Sequence, residues 1–291
     1  MFNNLEARLE TIEKEIKTYE DLQIFTNDEL NTISKKLNGF EHKISISTED
    51  NFLYILKYIQ YLQILQKLIK KRLSNSEISN NRNSEKNSNC DNNITVYKHR
   101  GRTRINRENT RTINQLTQKI HRLYKKALKT TPNFIKTFKS YIQYCIKIKD
   151  YVGAKKAMTN ECLLHLNDTD LFVYCAFICA DFLDFQTARI FLLKALRLVL
   201  CSESKLKVLF ALFNVEVMWL GNLYKVYGEG NLKEGEDIFG EEDVRGAVQV
   251  FKEIVNEYGS KEISFLYEIA CGFPFLLSEM DKYLQSKGIY L

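Results

Sequence analysis

A run of basic residues between positions 98 and 129 is the part of the sequence best suited to chemistry. It contains eleven lysines and arginines against a single carboxylate, Glu108, which gives a local charge of +10. Because the whole chain carries a formal net charge of +6, the remainder sums to −4. Clustered cations displace counterions from a phosphate backbone without reading the base sequence. The segment therefore predicts RNA contact through Lys98, Arg100, Arg102, Arg104, Arg107, Arg111, Arg122, Lys125 and Lys126.

The same basic run has two other interpretations. It is equally typical of a solvated linker or of a nuclear or nucleolar targeting signal. No aromatic residue lies between Arg100 and Arg111, so the pattern does not predict base stacking within the run. The sequence alone leaves these alternatives open.

Residues that serve catalysis or metal binding are present, but their spacing fits neither role. The four histidines are scattered and none stands at a recognisable distance from a Ser or Cys nucleophile. Cys175 and Cys179 share a helical face, yet no CxxC pair or neighbouring histidine completes a tetrahedral metal set. We interpret the cysteines as buried thiols in a reducing compartment. We expect no catalytic centre, no metal and no cofactor.

A glycine-rich acidic stretch at 226–243 resembles a ligand loop only superficially. Its glycines lie among carboxylates that would repel a phosphate, and Gly230 and Lys233 break the alternating ligand spacing of a calcium loop. We predict a solvated loop. The longest apolar run, 171–183, is interrupted by Asp181 and is too short to cross a bilayer, and the first residues do not resemble a secretory signal, so we expect no membrane partner.

The elements that position these residues are predicted to be helices throughout. Only 2 prolines and 12 glycines occur in 291 residues, and alternating strand patterns are rare. Two features of the sequence repeat at a spacing of 34 residues. Large apolar residues recur at Phe138 and Phe172, and small residues recur at Ala127 and, two spacings later, at Ala195. Such a spacing is typical of stacked helix pairs in a solenoid. The residues expected to pack the repeats are Ala127, Phe138, Tyr141, Tyr144, Phe172, Ala188, Arg189 and Ala195. The alternative is an irregular helical domain in which the 34-residue spacing arises by chance.

The pattern along the chain predicts five regions. Residues 1–73 form an amino-terminal helical block, in which Thr26 and Glu29 have capping-box spacing and Gly39 ends or bends the second helix. Residues 74–112 are rich in Asn, Ser and Arg and are predicted to be a disordered insert. Residues 113–225 are expected to hold the helical repeats, 226–243 the acidic loop, and 244–291 two closing helices, the second bent near Pro274.

Within the amino-terminal block, the residues resemble a known family. Leu22 to Thr26, then Glu29, Leu30 and Ile33, then Phe40 to Ile44, followed by Phe52, Leu53, Tyr58 and Tyr61, are similar to the start of the U3 small nucleolar RNA-associated protein 6 family. In that family the block precedes half-a-tetratricopeptide (HAT) repeats, which the segments around Phe138 and Ala188 resemble. The likeness extends along most of the chain, although Phe138 and Phe172 stand where the repeats of that family have tryptophan.

This resemblance implies a function in ribosome biogenesis. It implies a non-catalytic scaffold of the small-subunit processome in the nucleolus, a ribonucleoprotein in which the chain supports pre-ribosomal RNA processing and 18S-type rRNA maturation. The implied partners are β-propeller (WD40) subunits, U3 small nucleolar RNA and the pre-rRNA leader. The alternative is a HAT-repeat adaptor in pre-mRNA splicing or 3′-end processing. The block at 22–44 distinguishes the two functions, because the adaptor families lack it.

A partner interface is also predicted in the amino-terminal block. Its hydrophobic residues, Leu22, Ile24, Phe25 and Phe40, stand beside short polar helices and could form an exposed anchor cluster. The alternative is that they pack internally on Leu56 and Ile59.

Overall fold

The computed structural model of the chain describes the backbone of residues 2–46, 51–85, 94–231, 241–259 and 262–289. Within these ranges the secondary structure is entirely helical, which confirms the predicted all-α class. Side chains are described for 5–46, 51–75, 109–226, 242–259 and 262–289. The helices are α1 (Phe2–Asp21), α2 (Asn27–Ile46), α3 (Asn51–Glu85), α4 (Ile94–Thr130), α5 (Phe134–Lys147), α6 (Tyr151–Leu164), α7 (Thr169–Asp181), α8 (Phe185–Leu198), α9 (Ser202–Asn231), α10 (Glu241–Tyr258), α11 (Ile263–Ala270) and α12 (Pro274–Ser286).

The chain divides into two compact units, Met1–Tyr141 and Ile142–Leu291, and the division falls within α5. In the first unit α1 packs on α2, α2 on α3, and α3 on α4. In the second unit α7, α8 and α9 pack on one another, while α10, α11 and α12 complete the unit around α9. This division differs in position from the predicted boundaries, because α4 falls in the same compact unit as the amino-terminal helices.

The amino-terminal cap of α2 has the predicted geometry. The backbone N–H of Thr26 donates to Glu29 Oε2 at 3.0 Å, and the N–H of Glu29 faces Thr26 Oγ1 at 3.4 Å. Arg72 of α3 also donates to both oxygens of Glu29, at 2.7 and 2.8 Å. Hydrogen bonds from Arg72, and then the backbone bond from Thr26, lower the pKa of Glu29 to about 2. The capping residue thus also fixes α2 to α3.

Two helix boundaries differ from the prediction. The second helix does not end at Gly39 but continues to Ile46, because Leu37 and Ile44 on either side of the glycine are buried and hold the helix against its neighbours. The closing segment is broken into α11 and α12, since Pro274 begins a new helix instead of bending one.

The predicted disordered insert at 74–112 is corrected where the structure describes it. Its backbone is helical over 74–85 and 94–112, while 86–93 lie outside the described residues. Both helical parts extend α3 and α4, which pack on each other. Extending an existing helix adds one hydrogen bond for each residue fixed, so a polar sequence can continue a helix that is anchored elsewhere. Asn109 and Thr112 are even buried. Both ends of the predicted acidic loop at 226–243 are helical as well, because α9 reaches Asn231 and α10 begins at Glu241.

The 34-residue repeat appears in the turns of two helix pairs. After α5, Lys149 has a positive φ of 61° and the N–H of Asp150 donates to Cys145 O at 2.9 Å. After α7, Leu183 has a φ of 60° and the N–H of Asp184 donates to Cys179 O, also at 2.9 Å. This left-handed turn satisfies the last carbonyls of one helix while placing an aspartate as the cap of the next.

The predicted repeat-packing residues lie in the interior. Ala127, Phe138, Tyr141, Tyr144, Phe172, Ala188 and Ala195 are all buried. Arg189 is half-buried, and its Nε and Nη2 donate to the two oxygens of Glu216 on α9 at 2.6 and 2.7 Å. Its guanidinium also lies over an aromatic face, with Cζ 4.9 Å from the centre of the Trp219 ring. Glu216 is thus neutralised where α8 meets α9.

The segment Ser202–Val226 of α9 is long and apolar enough to cross a membrane by length and composition. Half of its most apolar window is buried within the protein. Val208, Leu209, Phe213 and Leu220 are in the core, where they face the surrounding helices of the second unit. Its apolar character is accounted for by its position as a core helix.

Removing the cap of α8 should destabilise the second unit. Asp184 Oδ1 accepts from the N–H of Thr187 at 3.2 Å, Oδ2 accepts from its hydroxyl at 2.7 Å, and the carboxylate pairs with Lys155. Asp184→Ala should lower the free energy of unfolding by about 0.5–2 kcal/mol. Asp181→Ala, an exposed position at the end of α7, is the matched control and should change it little. Urea unfolding of both variants measures the difference, and equal stability would contradict the capping role.

Enlarging a small residue in α8 should also be costly. Ala195 is 1% exposed and lies on the buried face of α8. Ala195→Leu should destabilise the protein by about 1–3 kcal/mol, because a packed interior has no room for three more carbons. Gln186→Leu adds an apolar side chain at an exposed position of the same helix and should have a much smaller effect. A melting temperature unchanged by Ala195→Leu would show that the packing is loose.

Candidate nucleic-acid interface

A groove in the first unit collects the basic residues of α4. It has a volume of about 760 Å³ and is lined by residues of α1, α2 and α4 and of the turn after α1. From α4 it takes a single face, spaced at three, four and seven residues, as one side of a helix requires. These residues are Arg111, Thr112, Gln115, Gln118, Lys119, Arg122, Leu123 and Lys126.

The charge of the groove is positive. Six cationic side chains line it, Arg8, Lys14, Arg111, Lys119, Arg122 and Lys126, against three carboxylates, Glu15, Asp21 and Glu41. Two of the carboxylates are neutralised by cations of the groove itself. Lys119 Nζ lies 3.1 Å from Glu15 Oε2, and Arg8 Nη1 lies 3.0 Å from Glu41 Oε2. The remaining four cations therefore face a single carboxylate.

Hydrogen bonds to two residues of α2 position Arg8 within this groove. Glu41 is 4% exposed, and its Oε1 accepts a hydrogen bond of 2.9 Å from the hydroxyl of Tyr58 on α3. Arg8 donates through Nη2 to Ser45 Oγ at 2.9 Å. Burial, and then the charge of Glu41, raise the pKa of Tyr58 well above its usual range, so this hydroxyl stays a donor. The guanidinium is held by α2 while it lines the groove.

Lys126 is the cation of the groove whose charged form is disfavoured by its surroundings. Burial lowers the pKa of its ammonium, and the nearby charge of Arg8 lowers it further, although Glu41 acts in the opposite direction. A bound phosphate would offset both effects, because its negative charge would stabilise the ammonium and counter the repulsion from Arg8. The groove is thus arranged to accept negative charge.

Hydrogen bonds to α3 fix the orientation of α4. Gln66 Nε2 donates to Thr117 Oγ1 at 2.7 Å, and Gln63 Nε2 donates to the hydroxyl of Tyr124 at 3.0 Å. Leu116, Ile120 and Tyr124 are buried. Since this face of α4 is occupied by packing, the face with Arg111, Arg122 and Lys126 is the one that borders the groove.

The structure places only part of the predicted RNA-contact set. Arg111, Arg122 and Lys126 line the groove, and Lys125 is exposed on α4 outside it. The side chains of Lys98, Arg100, Arg102, Arg104 and Arg107 lie outside those that the structure describes. The sequence prediction missed Arg8, Lys14 and Lys119 as groove cations. Arg8 and Lys14 belong to a different helix, and their spacing of six residues on α1 gave no distinct signal.

The predicted partner interface is corrected for two of its members. Ile24 is 7% and Phe25 is 8% exposed, so neither forms an exposed anchor. The ring of Phe25 packs edge-on against Tyr19 and lies 4.7 Å from the guanidinium carbon of Arg72. The carbonyl of Ile24 accepts from Arg72 Nη1 at 2.9 Å. The turn between α1 and α2 is therefore held inward by one arginine of α3.

The other two members are only partly covered. Phe40 is half-buried and stacks on Tyr58 with ring centres 4.9 Å apart. Leu22 is half-buried and lines the edge of the basic groove. The four residues therefore do not form one exposed cluster.

Comparison with known families supports the resemblance in this region. The model of the family described as U3 small nucleolar RNA-associated protein 6 matches residues 9–100, about a third of the chain. No curated protein matches the chain. The matched residues include α2, the Glu29–Arg72 contact and the Arg8-facing carboxylate Glu41. Over residues 9–100 the chain is therefore similar to the U3 small nucleolar RNA-associated protein 6 family.

Proposed function

We propose that the protein is a non-catalytic scaffold subunit of the nucleolar small-subunit processome, where it supports pre-ribosomal RNA processing and 18S-type rRNA maturation. The observation that carries this proposal is the match of residues 9–100 to a family of proteins associated with U3 small nucleolar RNA. The matched range contains the block at 22–44, which favours this function over a HAT-repeat adaptor in pre-mRNA splicing or 3′-end processing.

The basic groove provides a physical means of RNA contact. From Arg111 to Lys126 the helix rises about 22 Å, at about 1.5 Å per residue, so its cations can face several successive phosphates. Arg111 and Arg122 are exposed and are not paired with a described carboxylate. Their charge is therefore available to an RNA backbone without first breaking an ion pair. U3 small nucleolar RNA and the pre-rRNA leader are the proposed ligands.

The paired helices of the second unit fit the scaffold part of the proposal. Stacked helices offer continuous surfaces that bind protein partners without any catalytic pocket. The β-propeller (WD40) subunits of the processome are the proposed protein partners. Purification of the tagged protein from its own cells, followed by identification of RNA and protein, tests this role. Recovery of U3 RNA and processome proteins is expected, and recovery of splicing or 3′-end factors in their place would overturn it.

RNA binding through the groove should depend on two specific arginines. Arg111→Ala with Arg122→Ala removes two groove cations, whereas Lys125→Ala with Lys129→Ala removes two exposed cations of α4 outside the groove. Both double variants change the net charge equally. The groove variant should bind RNA more weakly, with a slope of log affinity against log salt that is shallower by about 1.4, or about 0.7 for each lost phosphate contact on a single strand.

Fluorescence anisotropy measures how the affinity depends on salt concentration. Two 20-nucleotide RNAs of unrelated sequence serve as ligands. The loss should be similar for both RNAs, because phosphate contacts carry no sequence information. If the two double variants lose affinity equally, the groove has no special role and the basic charge of α4 acts as a whole. If the groove variant binds as tightly as the parent protein, RNA contact through the groove is wrong.

A further inference from the structure

A second concave surface lies in the second unit and has the opposite chemistry. It is a slot of about 170 Å³ between α6 and α8, with α7 beneath it. Cys162, Phe172 and Phe191 form its buried lining. The rings of Phe172 and Phe191 meet edge to face with their centres 6.5 Å apart. The interior of the slot is therefore apolar.

Exposed leucines form the rim of this slot. Leu163 is 59%, Leu166 is 44% and Leu198 is 40% exposed, and all three line it. Leu164 and Leu193 add exposed apolar surface on the same two helices. Single exposed leucines are ordinary on protein surfaces, but a contiguous group around a cavity is typical of a binding site. Covering these leucines would remove apolar surface from water and so favour association.

The size of the slot indicates what can enter it. A cavity of roughly 150 Å³ lined by apolar side chains accepts a benzene molecule. The slot of about 170 Å³ therefore fits one large apolar side chain, such as phenylalanine or leucine, and not a folded element. Its occupant is a side chain presented by a short segment.

The charge at the rim indicates what flanks that side chain. Lys194 and Arg197 line the slot on α8, and both are exposed. Neither is paired with a described carboxylate. Carboxylates beside the inserted side chain would meet these cations, whereas lysines or arginines there would be repelled.

We infer that this slot binds a short segment of a partner protein in which one large apolar side chain is flanked by carboxylates. The apolar side chain fills the space above Phe172 and Phe191, and the carboxylates pair with Lys194 and Arg197. This inference deepens the proposed scaffold role and rests on it for its place in the cell. The binding itself depends only on the slot, so the two can fail separately.

Peptide binding to the full-length protein tests the inference. The probe is a fluorescein-labelled ten-residue peptide with one phenylalanine flanked by aspartates and glutamates. Two control peptides replace the phenylalanine by serine or the carboxylates by lysines. Anisotropy should show saturable binding of the first peptide and at least ten-fold weaker binding of both controls. Equal binding of either control would overturn the inference, because one of the two recognition elements would then be unnecessary.

Variants of the slot locate the binding. Lys194→Glu with Arg197→Glu should reduce affinity at least ten-fold, while Lys156→Glu with Lys207→Glu, exposed in the same unit, should leave it nearly unchanged. Leu163→Ser with Leu198→Ser should also weaken binding, while Leu183→Ser, at an exposed leucine outside the slot, should not. These positions are at the surface, and circular dichroism melting confirms that each variant is folded.

Other occupants are distinguished by two further measurements. If the parent protein sediments as a dimer that the leucine variant abolishes, the slot is covered by a second copy of the chain and the inference is wrong. If the Lys194 and Arg197 variant loses RNA binding but keeps peptide binding, these cations serve RNA and the inference is equally wrong. Peptide binding without recovery of U3 RNA from cells would sustain the slot and overturn the proposed processome role.

Discussion

The groove in the first unit depends on a single buried carboxylate, Glu41. A charge removed from water is costly unless it is paired and hydrogen-bonded. Glu41 meets this requirement through Arg8 of α1 and Tyr58 of α3, while it belongs to α2 itself. Three helices are therefore joined at one point. The arrangement also places Arg8 near Lys126, and burial, and then the charge of Arg8, lower the pKa of that ammonium.

This pairing explains why the groove remains positive although it contains carboxylates. Glu15 and Glu41 each hold a cation in place and so cancel only that cation's charge. The exposed cations on α4 keep their full charge, because the acidic side chains are already engaged. An interior ion pair contributes little net stability when compared with apolar residues of the same volume. Its role here is to fix the position of a cation at the edge of a basic surface.

The sequence predicted what periodicity and local chemistry control. The all-α class, the Thr26–Glu29 cap and the buried repeat positions followed from spacing alone, because each depends on neighbours within one or two turns. The burial of Phe25 did not follow, since it requires Arg72, which is 47 residues away in the sequence. Helix in the polar segment at 94–112 was also missed, because composition describes what a segment can bury and not which packed helix it extends.

The two candidate surfaces differ in the physics that would govern them. The basic groove acts through charges exposed to solvent, so its affinity for a polyanion must fall steeply as salt rises. The slot between α6 and α8 acts mainly by removing apolar surface from water, which salt screening does not weaken, and Lys194 and Arg197 add selectivity at its rim. The proposed RNA ligand would therefore leave the groove at high salt, whereas the proposed protein segment would stay in the slot. Arg111 and Arg122 belong to the first compact unit, whereas Lys194 and Arg197 belong to the second. Each surface can therefore be altered without changing the residues that form the other.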